Sequence, residues 1–232
     1  MVSNNGVLVF VGGDPDAQMV PRWWQAGDSD RLVVAADSGL ETARRFGARI
    51  DAVVGDMDSV DPRALAEAEA AGATVLRSPR DKDETDLELA IDWALRHQPP
   101  SLVAIGGAGG RLDHLLGNVA ALSSSRLGDT TVDAWMGAAY VGIVNSSRAL
   151  DLTVAPRALV TLLAQHGDAI GVRTEGLRWP LDGEDLPAGS CRGVSNEAAL
   201  AGVHVEVRAG CLAVLLADAT DLIVPPNREL VP

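Results

Sequence analysis

Up to about residue 145, short unbroken apolar runs alternate with longer stretches of helical periodicity. Val7-Leu8-Val9-Phe10-Val11, Leu32-Val33-Val34-Ala35, Ala52-Val53-Val54, Thr74-Val75-Leu76 and Leu102-Val103-Ala104-Ile105 are rich in β-branched residues and carry no polar alternation. Such runs predict strands buried on both faces, as in a parallel sheet. Between them, Glu41 to Phe46 and Pro62 to Ala71 have helical composition. The pattern is sharpest from Asp86 to His97, where Leu87, Ala90, Ile91, Ala94 and Leu95 fall on one stripe. Thr85 with Glu88 three residues on forms a capping box at its start. Leu112 to Leu122 repeats the helical pattern with Leu115, Leu116, Val119 and Ala120. Strands and helices alternating at these lengths predict an α/β class, with a Rossmann-like three-layer α/β/α domain and a mostly parallel sheet over residues 1–147.

After Asn145 the texture changes. Long helical patterns stop, Pro and Gly become frequent, and the apolar runs shorten to Leu159–Leu163, Ile170–Thr174, Val203–Val207 and Cys211–Leu216. Val203-His204-Val205-Glu206-Val207 alternates apolar with polar, and Ala209-Gly210 is able to turn the chain into the next strand. A smaller all-β sandwich domain is expected over 148–232. The chain has no internal repeat and no low-complexity segment.

Composition narrows the function classes. A hydrophobic fraction of 47% with 22% charged residues over 232 positions describes a globular protein. A formal charge of −13 argues against a nucleic-acid or anionic-membrane surface, since the sequence-independent part of such binding is cationic. It leaves room for a phosphorylated small molecule met by metal ions and a few local basic groups. No window approaches the roughly 18 consecutive apolar residues of a membrane span. Met1-Val2-Ser3-Asn4-Asn5 lacks the basic region of a secretory leader, so a soluble cytoplasmic protein is expected. Cys191 and Cys211 lie in no close Cys/His pattern and read as free thiols.

In open α/β sheets, ligands bind beyond the carboxyl ends of the strands. The segments there are Gly12-Gly13-Asp14, Asp37-Ser38-Gly39, Gly55 to Ser59, Arg77 to Asp86 and Gly106 to His114, and almost all carry Asp or paired glycine. Gly55-Asp56-Met57-Asp58-Ser59 is the most informative. On an extended backbone Asp56 and Asp58 point to the same side, where they either hold a hard cation such as Mg²⁺ or serve ordinary turn chemistry. Asp86, in the first turn of the capped helix, either complements the helix dipole or supplies a third metal ligand, with Lys82 facing phosphate. Gly106-Gly107-Ala108-Gly109-Gly110-Arg111 leaves a strand and enters a helix. Its N–H groups either approach an anion or serve close packing. It is neither a P-loop nor a dinucleotide fingerprint. Arg111 suits phosphate, Asp113 suits a hydroxyl or hydrated metal, and His114 is an acid or base or else a hydrogen-bonded structural histidine.

Gly-Asp-Met-Asp-Ser at 55–59, Lys-Asp-Glu-Thr-Asp at 82–86 and Gly-Gly-Arg-Leu-Asp-His at 109–114, in this order and on these elements, resemble the thiamine pyrophosphokinase family. The resemblance extends to Ala36-Asp37-Ser38-Gly39, Gly176-Leu177-Arg178-Trp179-Pro180-Leu181 and Val194-Ser195-Asn196-Glu197, so it spans nearly the whole chain. It implies an N-terminal domain that binds ATP and Mg²⁺, a C-terminal β-sandwich that helps bind thiamine, and a homodimer with active sites at the subunit interface. It further implies Asp56, Asp58 and Asp86 as magnesium-binding acids. Lys82, Gly107, Arg111, Asp113 and His114 fall on the nucleotide side, and Ser195 and Asn196 on the thiamine side. Asp37 matches an acid near the substrate cleft. Trp179 stands where the family has an aromatic residue, which either stacks on the vitamin or packs in the core. Asp37-Ser38-Gly39-Leu40 departs from the family's commoner Asp-Gly-Gly-Ala, which bears on the cleft and not on the metal acids.

The implied reaction transfers a pyrophosphoryl group from ATP to the hydroxyethyl oxygen of thiamine, giving thiamine diphosphate and AMP. One acid among Asp37, Asp58 and Asp113 is the candidate acceptor of the alcohol proton. The alternatives are a related pyrophosphokinase acting on a hydroxymethylpterin and a non-catalytic nucleotide or thiamine sensor.

Overall fold

The computed structural model describes residues 6–13 and 31–224, so Asp14 and the first five residues lie outside the described residues. The chain divides into two compact units. One runs to Ala121 and includes Thr130–Gly137; the other takes Leu122–Asp129 and the chain from Ala138 on.

The first unit is a mixed α/β structure. Strands β1 (Val7–Val11), β2 (Leu32–Ala36), β3 (Ala52–Gly55), β4 (Thr74–Arg77), β5 (Ser101–Ile105) and β6 (Thr131–Met136) lie in the order β4-β3-β2-β1-β5-β6. Every pairing along this row is parallel. Helices α1 (Gly39–Arg45), α2 (Pro62–Ala70), α3 (Asp86–Leu95) and α4 (Leu112–Leu122) follow β2, β3, β4 and β5 in turn. Because parallel strands all point one way, the acid-bearing segments after β2, β3, β4 and β5 emerge at one edge of the sheet.

The expected strands appear with two differences. β4 is not buried on both faces but half exposed along its length, because it pairs only with β3 and ends the row. β6 is an additional strand; Asp133 interrupts its apolar run yet is 2% exposed. The capping box forms as the sequence predicts. Thr85 Oγ1 accepts from the Glu88 amide at 3.2 Å, and Glu88 Oε2 accepts from the Thr85 amide at 2.9 Å. Leu87, Ala90, Ile91 and Ala94 are buried beneath α3, and the helix stops at Leu95, short of His97. In α4 the predicted stripe is broken. Leu116 is 63% exposed, while Asn118 turns inward to donate from Nδ2 to the Gly107 carbonyl at 3.0 Å.

In the second unit the described residues form strands joined by turns and short 3₁₀ segments: β7 (Ala139–Asn145), β8 (Leu150–Val154), β9 (Leu159–Glu175), β10 (Asp182–Leu186), β11 (Asn196–Glu197), β12 (Gly202–Glu206), β13 (Ala209–Leu216) and β14 (Leu222–Val224). All of their pairings are antiparallel. The two runs expected at 159–163 and 170–174 are one 17-residue strand, β9. The polar stretch between them holds an irregularity and not a turn. His166 and Gly167 take φ of 59° and 151°, and the register against β13 shifts between Gln165 and Ile170. Nor do β12 and β13 form a hairpin through Ala209-Gly210; each pairs instead with a different stretch of β9. Both cysteines are free. Among the described residues no helix is long and apolar enough to cross a membrane.

The cap on α3 has a measurable weight. Replacing Thr85 by Ala removes the acceptor for the Glu88 amide and should lower stability by about 1 kcal/mol in a urea titration, the usual effect of losing an N-cap.

Candidate active site

The acidic edge is built around the end of β3. A side chain at Gly55 would lie 3.0 Å from Asp86 Oδ1 and 3.1 Å from Asp37 Cβ, so only glycine lets these two acids close over the strand end. The next residue to matter is Met57. It adopts φ of 63° and packs against the cluster of Ala35, Leu40, Val53, Val60, Ala64 and Leu65. Anchored in this way, the loop carries Asp56 and Asp58 on its outer side. The Asp58 amide donates to Asp56 Oδ1 at 3.0 Å, and Ser59 Oγ donates to Asp58 Oδ1 at 2.8 Å. Asp56 and Asp58 are therefore brought together by a left-handed turn, and not by the extended backbone expected from sequence. The turn chemistry weighed from the sequence is present in this loop, beside a cluster of carboxylate oxygens.

Asp37 completes a trio. One ligand atom from each of Asp37, Asp56 and Asp58 lies within 4.8 Å of the others. Asp37 follows β2 with φ of 45°, and its amide donates to the Val54 carbonyl at 2.8 Å, which ties the two loops together. It is only 8% exposed, and its Oδ1 is buried without a hydrogen-bond partner among the described residues. Burial pushes its carboxyl above the usual range. The Ser38 amide pulls the other way, and the charges of Asp86, Asp56 and Asp58 add to the rise. An unpartnered carboxylate oxygen facing further carboxylates is a poor arrangement for protein alone and a good one for a hard divalent cation. An all-oxygen donor set fits Mg²⁺ better than a softer transition metal.

Asp86 stands beside this trio and not within it. Its Oδ1 accepts from Lys82 Nζ at 2.5 Å, and Nζ also donates to Ser78 Oγ at 2.8 Å. The Lys82 side chain is 12% exposed, so the ammonium is held at the edge by two acceptors. Arg80 lies further out, its Nη2 3.3 Å from Asp58 Oδ2.

The glycine turn after β5 divides its work. The Gly106 amide donates to the Trp135 carbonyl at 3.0 Å and the Gly107 amide to the Gly12 carbonyl at 2.8 Å. Neither amide is open to an anion, so the expected donor role of Gly107 gives way to packing. A Cβ at Gly106 would lie 2.2 Å from the Val11 carbonyl oxygen. Beyond the turn, Arg111 Nε and Nη2 donate to the two oxygens of Asp113 at 3.1 and 2.5 Å. That pairing holds Asp113 at a pKa of about 2 and raises Arg111. His114 is exposed and only its amide is engaged, by Asp113 Oδ1 at 3.0 Å. Among the described residues its ring has no hydrogen bond, which removes the reading as a bonded structural histidine.

In the second unit, Trp179 is 55% exposed and so does not pack in the core. Buried Asn196 holds it from behind. Asn196 Nδ2 donates to the Trp179 carbonyl at 2.8 Å, and Asn196 Oδ1 accepts from the Trp179 amide at 3.2 Å and the Glu197 amide at 2.8 Å. The Arg178 guanidinium lies 4.8 Å from the Trp179 ring centroid and pairs with Glu197 at 3.3 Å. Ser195, with φ of 57°, donates its amide to Thr161 Oγ1 at 3.0 Å and leaves its side chain exposed. Trp179 and Asn196 line a cavity of about 300 Å³ with Leu162, Leu181, Arg192 and Val194. Arg178, although inside the motif at 176–181, and Arg192, outside every motif, are not marked as site residues by the sequence, because nothing local shows what an arginine will face. The cation over the tryptophan ring is visible only once both residues are placed.

Comparison with known proteins bears on both units. Residues 23–132 match the family described as thiamin pyrophosphokinase, catalytic domain, and residues 138–212 match the thiamin pyrophosphokinase vitamin B1 binding domain. A thiamine pyrophosphokinase of Bacillus subtilis is 35% identical over 110 residues, which is 47% of this chain and 51%, about half, of that protein. Thiamine pyrophosphokinase 1 of Oryza sativa is 27% identical over 206 residues, 77% of this chain and 75% of its own length. Among solved structures, the Bacillus subtilis enzyme superposes with a TM-score of 0.76 at 24% identity, covering 91% of this chain and 98% of that one. Thiamin pyrophosphokinase from Geobacillus thermodenitrificans gives 0.73 at 24% identity, with 93% and 100% covered. With one family matched on both sides of residue 135, the chain belongs to the thiamin pyrophosphokinase family.

Proposed function

We propose that this chain is a thiamine pyrophosphokinase, transferring the pyrophosphoryl group of ATP to the hydroxyl of thiamine to give thiamine diphosphate and AMP. The observation that carries the reading is the trio of Asp37, Asp56 and Asp58 oxygens within 4.8 Å, with Asp37 Oδ1 buried and unpartnered. The first unit acts as a Rossmann-like α/β/α catalytic domain. The second, which takes up the chain from Ala138 and not from residue 148, acts as a β-sandwich that binds thiamine and dimerises, and the working form is a cytoplasmic homodimer with active sites at the subunit interface. The match of residues 138–212 to a vitamin B1 binding domain supports thiamine over a hydroxymethylpterin as acceptor.

Asp37, Asp56 and Asp58 would hold Mg²⁺, with Asp86, the third acid expected from the resemblance, beside them and close enough to raise the Asp37 carboxyl by its charge. Bound there with the nucleotide, magnesium supplies the positive charge that offsets negative charge on the transferring phosphates. Lys82 uses two of its three ammonium protons on Ser78 and Asp86, and the third is left to donate to a phosphate oxygen. Arg111 has N–H groups beyond the two on Asp113 and is the second cation on the nucleotide side, next to His114. Asp113 is a poor proton acceptor, because the guanidinium that lowers its pKa to about 2 also removes its affinity for a proton. On the thiamine side, Asn196 orients Trp179, whose ring is largely exposed apart from the Arg178 guanidinium over it and suits a cationic thiazolium, while Ser195 presents its hydroxyl.

Two measurements test these assignments. Incubation with ATP, Mg²⁺ and thiamine should yield AMP in step with thiamine diphosphate; ADP as sole product, or hydrolysis that ignores thiamine, would overturn the reaction. In the same assay Asp56→Asn should lower turnover by about 10²-fold or more, the scale of losing one electrostatic stabiliser, with its unfolding temperature unchanged. Trp179→Ala should raise the KM for thiamine by about tenfold through the lost cation–π contact and leave the urea midpoint near wild type, since the ring is largely exposed. An unchanged KM would take Trp179 out of the thiamine site.

A further inference from the structure

The loop that carries Asp56 and Asp58 is fixed at three points, of which two are already described: Met57 in the apolar cluster and the amide of Asp58 on Asp56. The third lies outside every motif. Glu41, in the first turn of α1, accepts the Asp61 amide on Oε1 at 2.9 Å. Asp61 is the N-cap of α2, its own carboxylate accepting from the Arg63 amide at 2.9 Å. The contact therefore closes the downstream end of the acidic loop onto the helix that begins just after Asp37. An N-cap amide has no backbone partner in its own helix; in α3 the side chain three residues on supplies one, but in α2 that position is Ala64, which has no acceptor to offer. Glu41 supplies it across 20 residues of sequence. Its other oxygen, Oε2, is buried without a hydrogen-bond partner among the described residues. A surface glutamate chosen only to cap a helix would leave that second oxygen in water. Here the side chain is held against the protein although half of its carboxylate gains nothing there, which marks the Asp61 contact as the one that sets its position.

We infer that Glu41 is a positioning residue for the acidic site: it fixes the spacing between Asp37, at the head of its own helix, and the Asp56–Asp58 loop. The inference rests on the reading of that trio as the metal-holding group. Glu41 touches neither metal nor substrate in this role. It acts through the backbone of Asp61, as an outer partner that keeps inner ligands in register. Its essential feature is one acceptor oxygen at the right reach and not its charge, which separates it from Asp37, Asp56 and Asp58.

The test compares Glu41→Ala, Glu41→Gln and Asp56→Asn in the full chain. Binding of Mn²⁺ alone is read by electron paramagnetic resonance, and the half-saturating Mg²⁺ for thiamine diphosphate formation is read beside it. Glu41→Ala should weaken Mn²⁺ binding and raise the half-saturating Mg²⁺ by about tenfold each, the lower end of what losing an outer partner costs a metal site, with the KM for thiamine unchanged. Glu41→Gln, which keeps an acceptor on the Asp61 amide, should match wild type in both. Unchanged Mn²⁺ binding in Glu41→Ala overturns the inference, and so does a loss in Glu41→Gln as large as in Glu41→Ala. Should Glu41→Ala unfold, Glu41→Asp, which withdraws the acceptor by one methylene, takes its place with the same expectation. If Asp56→Asn binds Mn²⁺ as wild type does, the metal reading itself falls, whatever the Glu41 variants do.

Discussion

Crowding of negative charge at one edge of a parallel sheet is the constraint on which the rest of this structure turns. β2 and β3 are buried apolar strands paired in fixed register, so the residues that follow them cannot drift apart. Asp37 and Asp56 follow those two strands, and Asp86 opens the helix that lies over them. Charges so placed repel, and burial makes the repulsion harder to screen. The protein answers part of this internally. Lys82 takes Asp86, and Arg80 reaches Asp58 from the surface. Asp37 receives no such partner among the described residues, and burial first, then the neighbouring carboxylates, pushes its carboxyl up. The unanswered remainder is the feature on which the proposed cation site rests.

Backbone strain follows the same map. Six described residues other than glycine take positive φ, and three of them are Asp37, Met57 and Ser195, each inside a segment expected to carry chemistry. A left-handed residue with a full side chain costs about 1 kcal/mol or more and persists only where its surroundings determine it. At Met57 the determinant is visible: the side chain is held in the cluster under α1 and α2, and the turn that results places two acids on the outer side. Glycine there would relieve the strain and lose the anchor. The site has exchanged local stability for a fixed direction of its ligands.

How much of this is legible from the chain depends on the range of the interaction that decides each feature. Features set by neighbours in sequence are readable: the apolar runs of β1, β2, β3 and β5, the Thr85–Glu88 cap, and the gathering of acids after successive strands. Features set by distant partners are not. β6 escapes notice because Asp133 breaks a run that the sheet buries regardless. β9 reads as two strands because its polar middle is an irregularity inside one strand, and the pairing to β13 on either side of it leaves no mark in its own sequence. Leu116 reads as core because helical spacing cannot say which face a sheet will cover. The turn at Gly107 reads either as an anion donor or as close packing, and only the partner of its amide, Gly12 just past the end of β1, favours packing. Even where Asp56 and Asp58 are correctly expected as a pair, the expected reason is wrong, since a left-handed turn and not the pleat aligns them.

Two acids at this edge are driven in opposite directions, and that bears on where the proton of an attacking alcohol goes. Asp113 is held at about 2 by an exposed guanidinium, so it remains ionised and has little affinity for a proton. Asp37 is raised, so in the resting chain it is the better acceptor. The cause of the rise is burial reinforced by neighbouring carboxylates, however, and any cation that relieves the crowding also removes much of that proton affinity. The residue best suited to act as a base in the empty site is thus among the least suited in the loaded one. A loose phosphoryl-transfer transition state asks little of a base, because the attacking oxygen carries little positive charge until late. The acids at this edge are accordingly better understood as instruments of position and charge balance than as proton acceptors.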